Sequence, residues 1–318
     1  MNNPRSRVTT QLLQRRAREL KRHLPAAAGG DDHAVHQARV ATRRLREAVP
    51  VLTAGVKHSR GGKAARKIRQ LTRALGAVRE LDVTLHLLGD LTQSGAHART
   101  ALEEVRARVV AERDERRARM LKRLDSVNVS KLDRRLASVA DALDRSEVEE
   151  WRGVLSGRLL RRAKHLSAAI DEAGQMYAAE WLHAVRIAAK KLRYGLELAA
   201  DGGIPGAAPL LRPIKRAQDV LGRLHDLQVL QTHVAAVQAG AGAERPGMHE
   251  ALESLARHIE DECRHLHGRY LMSAGALREA CDVIRTRLVP DMQKPRGRRP
   301  LKMALAARAT PAAAGARR

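Results

Sequence analysis

The stretch "AVHQARVATRRLREAV", residues 34–49, gathers four arginines and a histidine among alanines, valines and one leucine. Successive residues of an α-helix are about 100° apart, which places four of the basic side chains within a sector of about 80°. These are the side chains of His36, Arg39, Arg43 and Arg46. The apolar side chains cluster on the opposite side, so the stretch predicts a helix with one packing face and one cationic face.

The same pattern occurs again in the second half of the chain. "HQARVATRRLREAV" at 36–49 aligns with "HAVRIAAKKLRYGL" at 183–196, at an offset of 147 residues. "LGAVRELDV" at 75–83 aligns with "LGRLHDLQV" at 221–229, at an offset of 146 residues. Two segments repeated at nearly one offset indicate two copies of a helical unit, because solenoid repeats are only about 20–50 residues long.

The rest of the chain also has the periodicity of helices. Apolar residues recur at spacings of three and four almost everywhere, and no segment alternates convincingly like a strand. We therefore predict an all-α protein. The predicted helices cover residues 5–24, 33–54, 62–91, 97–126, 130–143, 146–174, 177–201, 207–238, 246–272 and 275–289.

The duplication divides the chain into two helical units and a tail. We predict one domain over 1–291, with a first helical bundle at 5–126, a connecting segment at 127–146 and a second bundle at 147–291. The last residues, 292–318, contain eight Lys or Arg and no acidic residue, together with Pro, Gly and Ala. This composition cannot build a core and predicts a disordered basic tail.

The charge balance indicates an anionic partner. The 318 residues include 60 Lys and Arg but only 35 Asp and Glu, which gives a formal net charge of +25. Without the tail the charge is still +17, so the predicted helical domain is itself strongly basic. Because self-repulsion of this kind destabilises a compact state, we expect it to complement nucleic acid, an anionic membrane surface or a free polyanion.

Two features of the sequence predict a cytoplasmic protein. Only Cys263 and Cys281 occur, so the disulfide framework typical of small secreted domains is missing. The N-terminal sequence has no apolar run like that of a signal peptide, and no apolar stretch reaches the length of about 18 residues that suggests a membrane span. We therefore expect no membrane insertion.

The cationic faces of the two copies form two cationic stripes, made of His36, Arg39, Arg43 and Arg46 in the first copy and His183, Arg186, Lys190 and Arg193 in the second. An ordinary solvated helix face is the alternative explanation of each stripe. Such faces usually mix acids with bases, but Glu47 and Glu197 are the only acids in the two stripe regions. Like charges three or four residues apart also destabilise a helix by about 0.2–0.5 kcal/mol per pair. Because both copies keep the same residue types at the same positions, we interpret the stripes as parts of an anion-binding site.

These repeated segments, both the histidine helices and the "LGAVRELDV" and "LGRLHDLQV" pair, resemble the CHAD family, the conserved-histidine α-helical domain. The resemblance covers most of residues 5–290. It implies two antiparallel four-helix bundles related by a pseudo-two-fold axis, with basic residues of both bundles lining a central groove or pore. It also implies binding of inorganic polyphosphate without catalysis, so we expect no cofactor, and it is compatible with targeting to polyphosphate granules in the cytoplasm.

The resemblance also implies which residues contact the polyanion. Matching positions in the two copies give His36, Arg39, Arg43, Arg44 and Arg46, with His183, Arg186, Lys190, Lys191 and Arg193. Cations on neighbouring helices extend this predicted site, and they compete with the interpretation that they are ordinary exposed charges. They are Arg66, Arg69 and Arg73 in the first copy and Arg212, Lys215 and Arg216 in the second, with Arg113, Arg116 and Arg264 as weaker candidates.

An enzyme is one alternative to a binding protein. The His-Asp dipeptide at 225–226 occurs in metal-dependent phosphohydrolases, but its repeat partner is Arg79–Glu80, which cannot bind metal in the same way. His33 with His36, or His265 with His267, would need a third ligand at a suitable spacing, so we predict no metal site. The sequence also has no P-loop and no Gly-x-Ser-x-Gly motif.

Nucleic-acid binding through the basic surface and tail is the second alternative, which the net charge supports. Only 2% of the residues are aromatic, however, and platforms that stack single-stranded bases need aromatic side chains. No helix-turn-helix or zinc-finger signature is present. A membrane-surface protein is the third alternative, and it is disfavoured by the same lack of bulky aromatics. The oligomeric state stays open.

Overall fold

The computed structural model describes residues 6–54, 58–95, 97–125, 127, 129–144, 150–240 and 246–294. Every regular element within these ranges is a helix. The prediction of an all-α protein is therefore confirmed. Within the same ranges, no helix is long and apolar enough to cross a membrane.

Eleven α-helices and one π-helical turn form the described part of the chain. Their bounds are α1 Ser6–Ala28, α2 Asp32–Leu52, α3 His58–Ala74, α4 Gly76–Ser94, α5 Arg99–Asp125, α6 Val129–Asp144, α7 Glu150–Ala173, α8 Ala179–Asp201, α9 Leu211–Gly240, α10 Pro246–Val283 and α11 Val289–Gln293, with the π-helical turn at Ile284–Leu288. Helix α2 begins after Asp31, whose carboxylate accepts a hydrogen bond from the Ala34 amide at 2.6 Å. This N-cap satisfies one of the free amides at the start of the helix.

Three predicted boundaries are wrong. The predicted helix 62–91 is interrupted at Leu75, where the buried leucine precedes Gly76, a poor helix former. The predicted break near 273–274 does not exist, because the buried side chains of Ala274 and Leu277 continue the apolar face of α10 past Gly275. At the other end, the buried Met292 belongs to α11 rather than to the tail, and residues 295–318 lie outside the described ranges.

The helices pack in a similar order in the two halves of the chain, α1–α6 and α7–α11. Helix α1 packs against α2, and α2 against α3, just as α7 packs against α8 and α8 against α9. The halves meet where α2 contacts α7 and α8, where α4 and α5 contact α9, and where α5 contacts α10. These contacts place the two histidine helices, α2 and α8, side by side, while the pair of four-helix bundles stays a prediction.

The core uses small and branched aliphatic side chains. On α2 the packing face contains Ala38, Ala41, Leu45, Ala48 and Val49, all of which are buried. On α8 the equivalent face contains Val185, Ala188, Leu192, Leu196 and Ala199, all of which are buried too. The helical periodicity therefore identified the packing faces of both helices correctly, and their many alanines let neighbouring helices approach closely.

Arg16 on α1 connects the two halves. Its guanidinium donates one hydrogen bond to the backbone carbonyl of Arg44 on α2 at 2.9 Å. It donates a second hydrogen bond to the carboxylate of Asp201 on α8, also at 2.9 Å. The Arg16 side chain is only 2% exposed, so this charge depends on its partners for solvation.

Arg162 on α7 makes the equivalent connection from the second half, because it lies 146 residues after Arg16. It donates a hydrogen bond to the backbone carbonyl of Lys191 on α8 at 2.8 Å. It also binds both carboxylate oxygens of Glu47 on α2, each at 2.7 Å. Each arginine thus holds a carbonyl of its own half and a carboxylate of the other half; we call this pair of connections the reciprocal arginine clamp.

Removing the carboxylate of the second connection should destabilise the protein strongly. We expect Glu47→Gln to lower the free energy of unfolding by about 3 kcal/mol, because it leaves Arg162 without its counter-charge in a largely buried position. Urea unfolding followed by circular dichroism measures this loss.

The matched control is Asp133→Asn, which removes the carboxylate of another ion pair between helices. Lys21 on α1 binds Asp133 on α6 at 2.8 Å, but these side chains are 63% and 44% exposed. We expect a loss below about 1 kcal/mol for this variant. Equal losses for the two variants would contradict the role assigned to Glu47.

Candidate anion-binding site

The contact of α2 with α8 brings cations of both stripes together. Arg43 on α2 donates a hydrogen bond to the hydroxyl of Tyr194 on α8 at 3.5 Å. Arg39 lies within electrostatic range of Arg43 and Arg186, and Lys190 within range of all three arginines. We call Arg39, Arg43, Arg186 and Lys190 the central cluster. It contains two cations from each copy of the repeat.

The central cluster has no counter-charge bound to it. Among the described residues, neither Arg39, Arg186 nor Lys190 forms an ion pair or a hydrogen bond through its side chain, and the Nε atoms of both arginines are buried. Asp226 is near enough to favour the charged forms of Arg186 and Lys190, and Glu80 that of Arg186, but neither acid forms an ion pair with the cluster within the described ranges. Because a buried charge without an ion-pair partner is destabilising, binding of an anion there would stabilise the folded protein.

Burial and mutual repulsion disfavour the charged forms of these side chains. Burial, followed by repulsion from Arg43, lowers the pKa of Arg39 to about 10. Burial, followed by repulsion from Arg186 and Arg43, lowers the pKa of Lys190 to about 7. An anion bound among these groups would favour their charged forms and raise both pKa values.

The two stripe histidines lie beside the central cluster. Burial, followed by repulsion from Arg79, lowers the pKa of His36, and its Nδ1 atom is buried without a hydrogen-bond partner. Partial burial, followed by the neighbouring His225, lowers the pKa of His183. The rings of His183 and His225 lie 5.0 Å apart, measured between their centroids. Both stripe histidines therefore start neutral at pH 7, and each can take up a proton when an anion binds.

A cavity opens next to each stripe histidine. The cavity at His36 has a volume of about 620 Å³, and the cavity at His183 a volume of about 350 Å³. Their linings correspond through the repeat: Asp32 with Ala179, His33 with Glu180, His36 with His183, Arg79 with His225, Asp82 with Gln228, and His86 with Thr232. The duplicated chain has therefore formed two equivalent cavities whose side chains have diverged.

Acids and bases are paired differently around the two cavities. In the first cavity, Arg113 binds Asp82 at 2.8 Å and Asp32 at 2.7 Å, so these carboxylates are neutralised within their own half. In the second cavity, His225 approaches Glu80 of the other half at 3.4 Å. The hydrogen bond from His225 lowers the pKa of Glu80. Arg113, a weaker candidate in the sequence, is thus ion-paired with Asp32 and Asp82.

Arg79 and His225 were not among the predicted site residues. The structure places them at the two cavities, beside His36 and His183 respectively. Their signal in the sequence was the alignment of 75–83 with 221–229, which puts them at equivalent positions of the repeat. That alignment shows a change from arginine to histidine at one position of the repeat.

The other stripe residues have different surroundings. Arg44 approaches Glu19 at 3.4 Å and Glu197 at 3.6 Å, so two acids neutralise it. Arg193 approaches Glu197 at 3.4 Å and lies over the Tyr194 ring, 5.2 Å from its centroid. The exposed side chains of Arg46 and Lys191 have no carboxylate partner in the described part of the chain.

The six predicted cations on neighbouring helices are all exposed. Arg66, Arg69 and Arg73 lie on α3, and Arg212, Lys215 and Arg216 lie in the first turns of α9. Lys215 lines a cavity of about 210 Å³ that Arg44 and Asp201 also line. No hydrogen bond connects any of the six to the central cluster within the described ranges, so their part in the site stays a prediction.

The described residues offer no obvious metal centre. Within them, no group of three or more His, Cys, Asp or Glu side chains is placed to hold a metal ion. This includes His225 and Asp226, the dipeptide that suggested a metal-dependent hydrolase.

The charge of Lys190 should destabilise the protein while no anion is bound. The unfolded chain holds this proton up to about pH 10, whereas the folded protein releases it near pH 7. The destabilisation is therefore greatest below pH 7, and it decreases as the pH rises from about 7 to about 10. We expect Lys190→Met to raise the free energy of unfolding at pH 6 by about 2 kcal/mol, after allowing for screening by water.

This gain should shrink between pH 6 and pH 9, as measured by urea unfolding in phosphate-free buffers. Lys191→Met removes the same charge from the exposed neighbouring residue and is the control. We expect this control to change the free energy of unfolding by less than about 0.5 kcal/mol at both pH values. A gain for Lys190→Met that does not depend on pH would contradict the assigned pKa.

The fold and the repeated histidine helices define an all-helical, internally duplicated domain. The CHAD domain family model matches residues 11–235 of this chain. The chain therefore belongs to the CHAD family, whose domain is of a non-catalytic binding type.

The chain is also similar to proteins of a known organism. Two proteins of Mycobacterium tuberculosis, "Uncharacterized protein MT2285" and "Uncharacterized protein Rv2226", are each 29% identical to this chain over 248 residues. The matched region is 73% of this chain but 46% of each relative, so the chain spans about half the length of these relatives.

Solved structures with the same fold come from a plant and a bacterium. The CHAD domain of Ricinus communis superposes with a TM-score of 0.57 at 21% identity, covering 88% of this chain and 92% of that one. PptA from Streptomyces chartreusis superposes with a TM-score of 0.61 at 15% identity, covering 85% of this chain and 99% of that one. At these identities the comparison shows the fold alone.

Proposed function

We propose that this protein binds inorganic polyphosphate at the central cluster, without changing it chemically. The observation that carries the proposal is the meeting of four cations from two helices, three of them without any side-chain partner among the described residues. The CHAD family is known generally for polyphosphate binding, which supports this choice of anion. Binding of this kind would also bring the protein to polyphosphate granules in the cytoplasm.

The chemistry of the cluster fits a phosphate chain. Polyphosphate carries about one negative charge per unit and presents no bases, so recognition depends on charge and on the oxygen atoms. Arginine forks bind two phosphate oxygens at once, and the buried Nε atoms of Arg39 and Arg186 are free to donate. Lys190 adds a point charge between the arginines, so successive phosphates would contact both halves of the protein.

The surrounding cations form an outer part of the proposed site. His36 with Arg79, and His183 with His225, lie at the two cavities and would donate N–H groups to neighbouring phosphates. The exposed cations of α3 and α9 would attract the chain over a longer distance. Arg44 and Arg193 contribute less, because Glu197 neutralises part of their charge.

Charge reversal in the central cluster should abolish binding. We expect the double variant Arg39→Glu with Arg186→Glu to weaken the binding of long-chain polyphosphate at least about 100-fold, because each arginine supplies charge-assisted hydrogen bonds. Fluorescence anisotropy with end-labelled polyphosphate at constant ionic strength measures the affinity.

The matched control is Arg134→Glu with Arg269→Glu, which reverses one exposed arginine in each half of the protein. The net charge changes equally, so a general electrostatic effect would weaken binding equally in both double variants. We expect at most about a threefold loss for this control.

Deletion of residues 295–318 should likewise keep most of the affinity, and a larger loss there than in the cluster variant would make the tail the binding site.

Competition should distinguish polyphosphate from nucleic acid as the partner. We expect long-chain polyphosphate to displace duplex DNA from the protein when both are present at equal phosphate concentration and about 0.15 M salt. We expect this order because a flexible phosphate chain can bring successive phosphates to cations of both halves, whereas the phosphates of a duplex are fixed on a stiff helix. Displacement of polyphosphate by DNA would contradict the proposed site and favour non-specific nucleic-acid binding.

A further inference from the structure

Equivalent residues of the two copies meet where α4 of the first half contacts α9 of the second. Arg79 and Glu80 lie on α4, and His225 and Asp226 occupy the same positions of the repeat on α9, 146 residues further along the chain. Each copy therefore has a basic side chain followed by an acidic one. Across the contact, the acid of each copy can approach the base of the other copy.

Only one of these two approaches is a close contact. Oε1 of Glu80 lies 3.4 Å from Nε2 of His225 and accepts a hydrogen bond from it. Asp226 lies within electrostatic range of Arg79, but the two form no ion pair in the described part of the chain. Within the same ranges, the base of the second cavity is thus bound to a carboxylate of the other half, whereas the base of the first cavity is not.

The Glu80 carboxylate occupies a donor that the proposed function gives to phosphate. His225 lines the cavity at His183, and the two imidazole rings lie 5.0 Å apart between their centroids. An imidazole nitrogen carries at most one N–H group, so Nε2 of His225 cannot donate fully to a carboxylate and to a phosphate at the same time. A phosphate that binds to this nitrogen has to take the place of Glu80.

The exposure of the two side chains indicates which of them moves. The Glu80 side chain is 47% exposed, whereas that of His225 is 18% exposed. The carboxylate can therefore turn into water, where it regains hydration, while the largely buried imidazole stays at the cavity. Binding of phosphate to His225 is an exchange of one anion for another, so it gains less free energy than binding to a free donor.

We propose that Glu80 competes with the phosphate chain for His225 and thereby lowers the affinity of the cavity at His183 for phosphate. This inference rests on the proposed binding of polyphosphate and adds a residue that limits it. It also makes the two equivalent cavities unequal for a ligand. A phosphate at the first cavity meets Arg79 without displacing a bound carboxylate from it, whereas a phosphate at the second cavity has to displace Glu80.

The test measures the affinity of the full-length protein for end-labelled long-chain polyphosphate by fluorescence anisotropy at pH 7 and constant ionic strength. We expect Glu80→Gln to tighten binding about fivefold, because a neutral amide competes less strongly for the His225 donor. The matched control is Glu180→Gln, which removes one charge from an exposed side chain at the same cavity that has no ion pair within the described ranges. This control should tighten binding by less than about twofold.

A double-mutant cycle separates competition for His225 from a general effect of charge. In the His225→Leu background the contested donor is gone, so Glu80→Gln should tighten binding by less than about twofold. A gain as large as in the wild-type background would overturn the proposal, and so would equal gains for Glu80→Gln and Glu180→Gln. In both cases polyphosphate would still bind, so the proposed function would stand. A wild-type protein that binds no polyphosphate would overturn the proposed function and this inference together.

Discussion

The reciprocal arginine clamp is the interaction on which the site depends. Two helices with cationic faces repel each other, yet α2 and α8 lie side by side. Arg16 and Arg162 hold them there, each through a carbonyl of its own half and a carboxylate of the other half. The buried apolar faces add hydrophobic stabilisation, and the clamp specifies the register, because its hydrogen bonds need particular atoms at particular distances.

The clamp also explains why the acids of the two stripe regions do not neutralise the central cluster. Glu47 and Glu197 are the only acids in the two stripe regions, and both are used elsewhere. Glu47 binds Arg162, while Glu197 lies between Arg44 and Arg193. Each acid thus neutralises arginines outside the central cluster. The same few carboxylates hold the helices together and leave the cluster positive, so the stability of the fold and the charge of the site have one origin.

The sequence predicted those parts of the structure that depend on local periodicity. The helical spacing identified both faces of α2 and α8, and the repeat identified the equivalence of His36 and His183. It could not show that Glu47 binds Arg162, since the two residues lie 115 positions apart and charged pairs carry no periodic signal. The break at Leu75 was missed because a single glycine after a buried leucine is a weak local signal that packing decides.

Anion binding and folding make opposing demands on the central cluster. Binding needs concentrated positive charge, and the same concentrated charge destabilises the fold. If the two halves were separate, each would carry only two cations of the central cluster, and the two pairs would stay apart in water. The contact of α2 with α8 forces the four together, and burial together with the resulting repulsion lowers the pKa of Lys190. An anion that touches one half would relieve only part of this repulsion. An anion that reaches both halves would relieve repulsion between cations of both copies, and its binding would stabilise the folded protein. The arrangement supports the proposed binding of polyphosphate, because successive phosphates of one chain would contact cations of both copies.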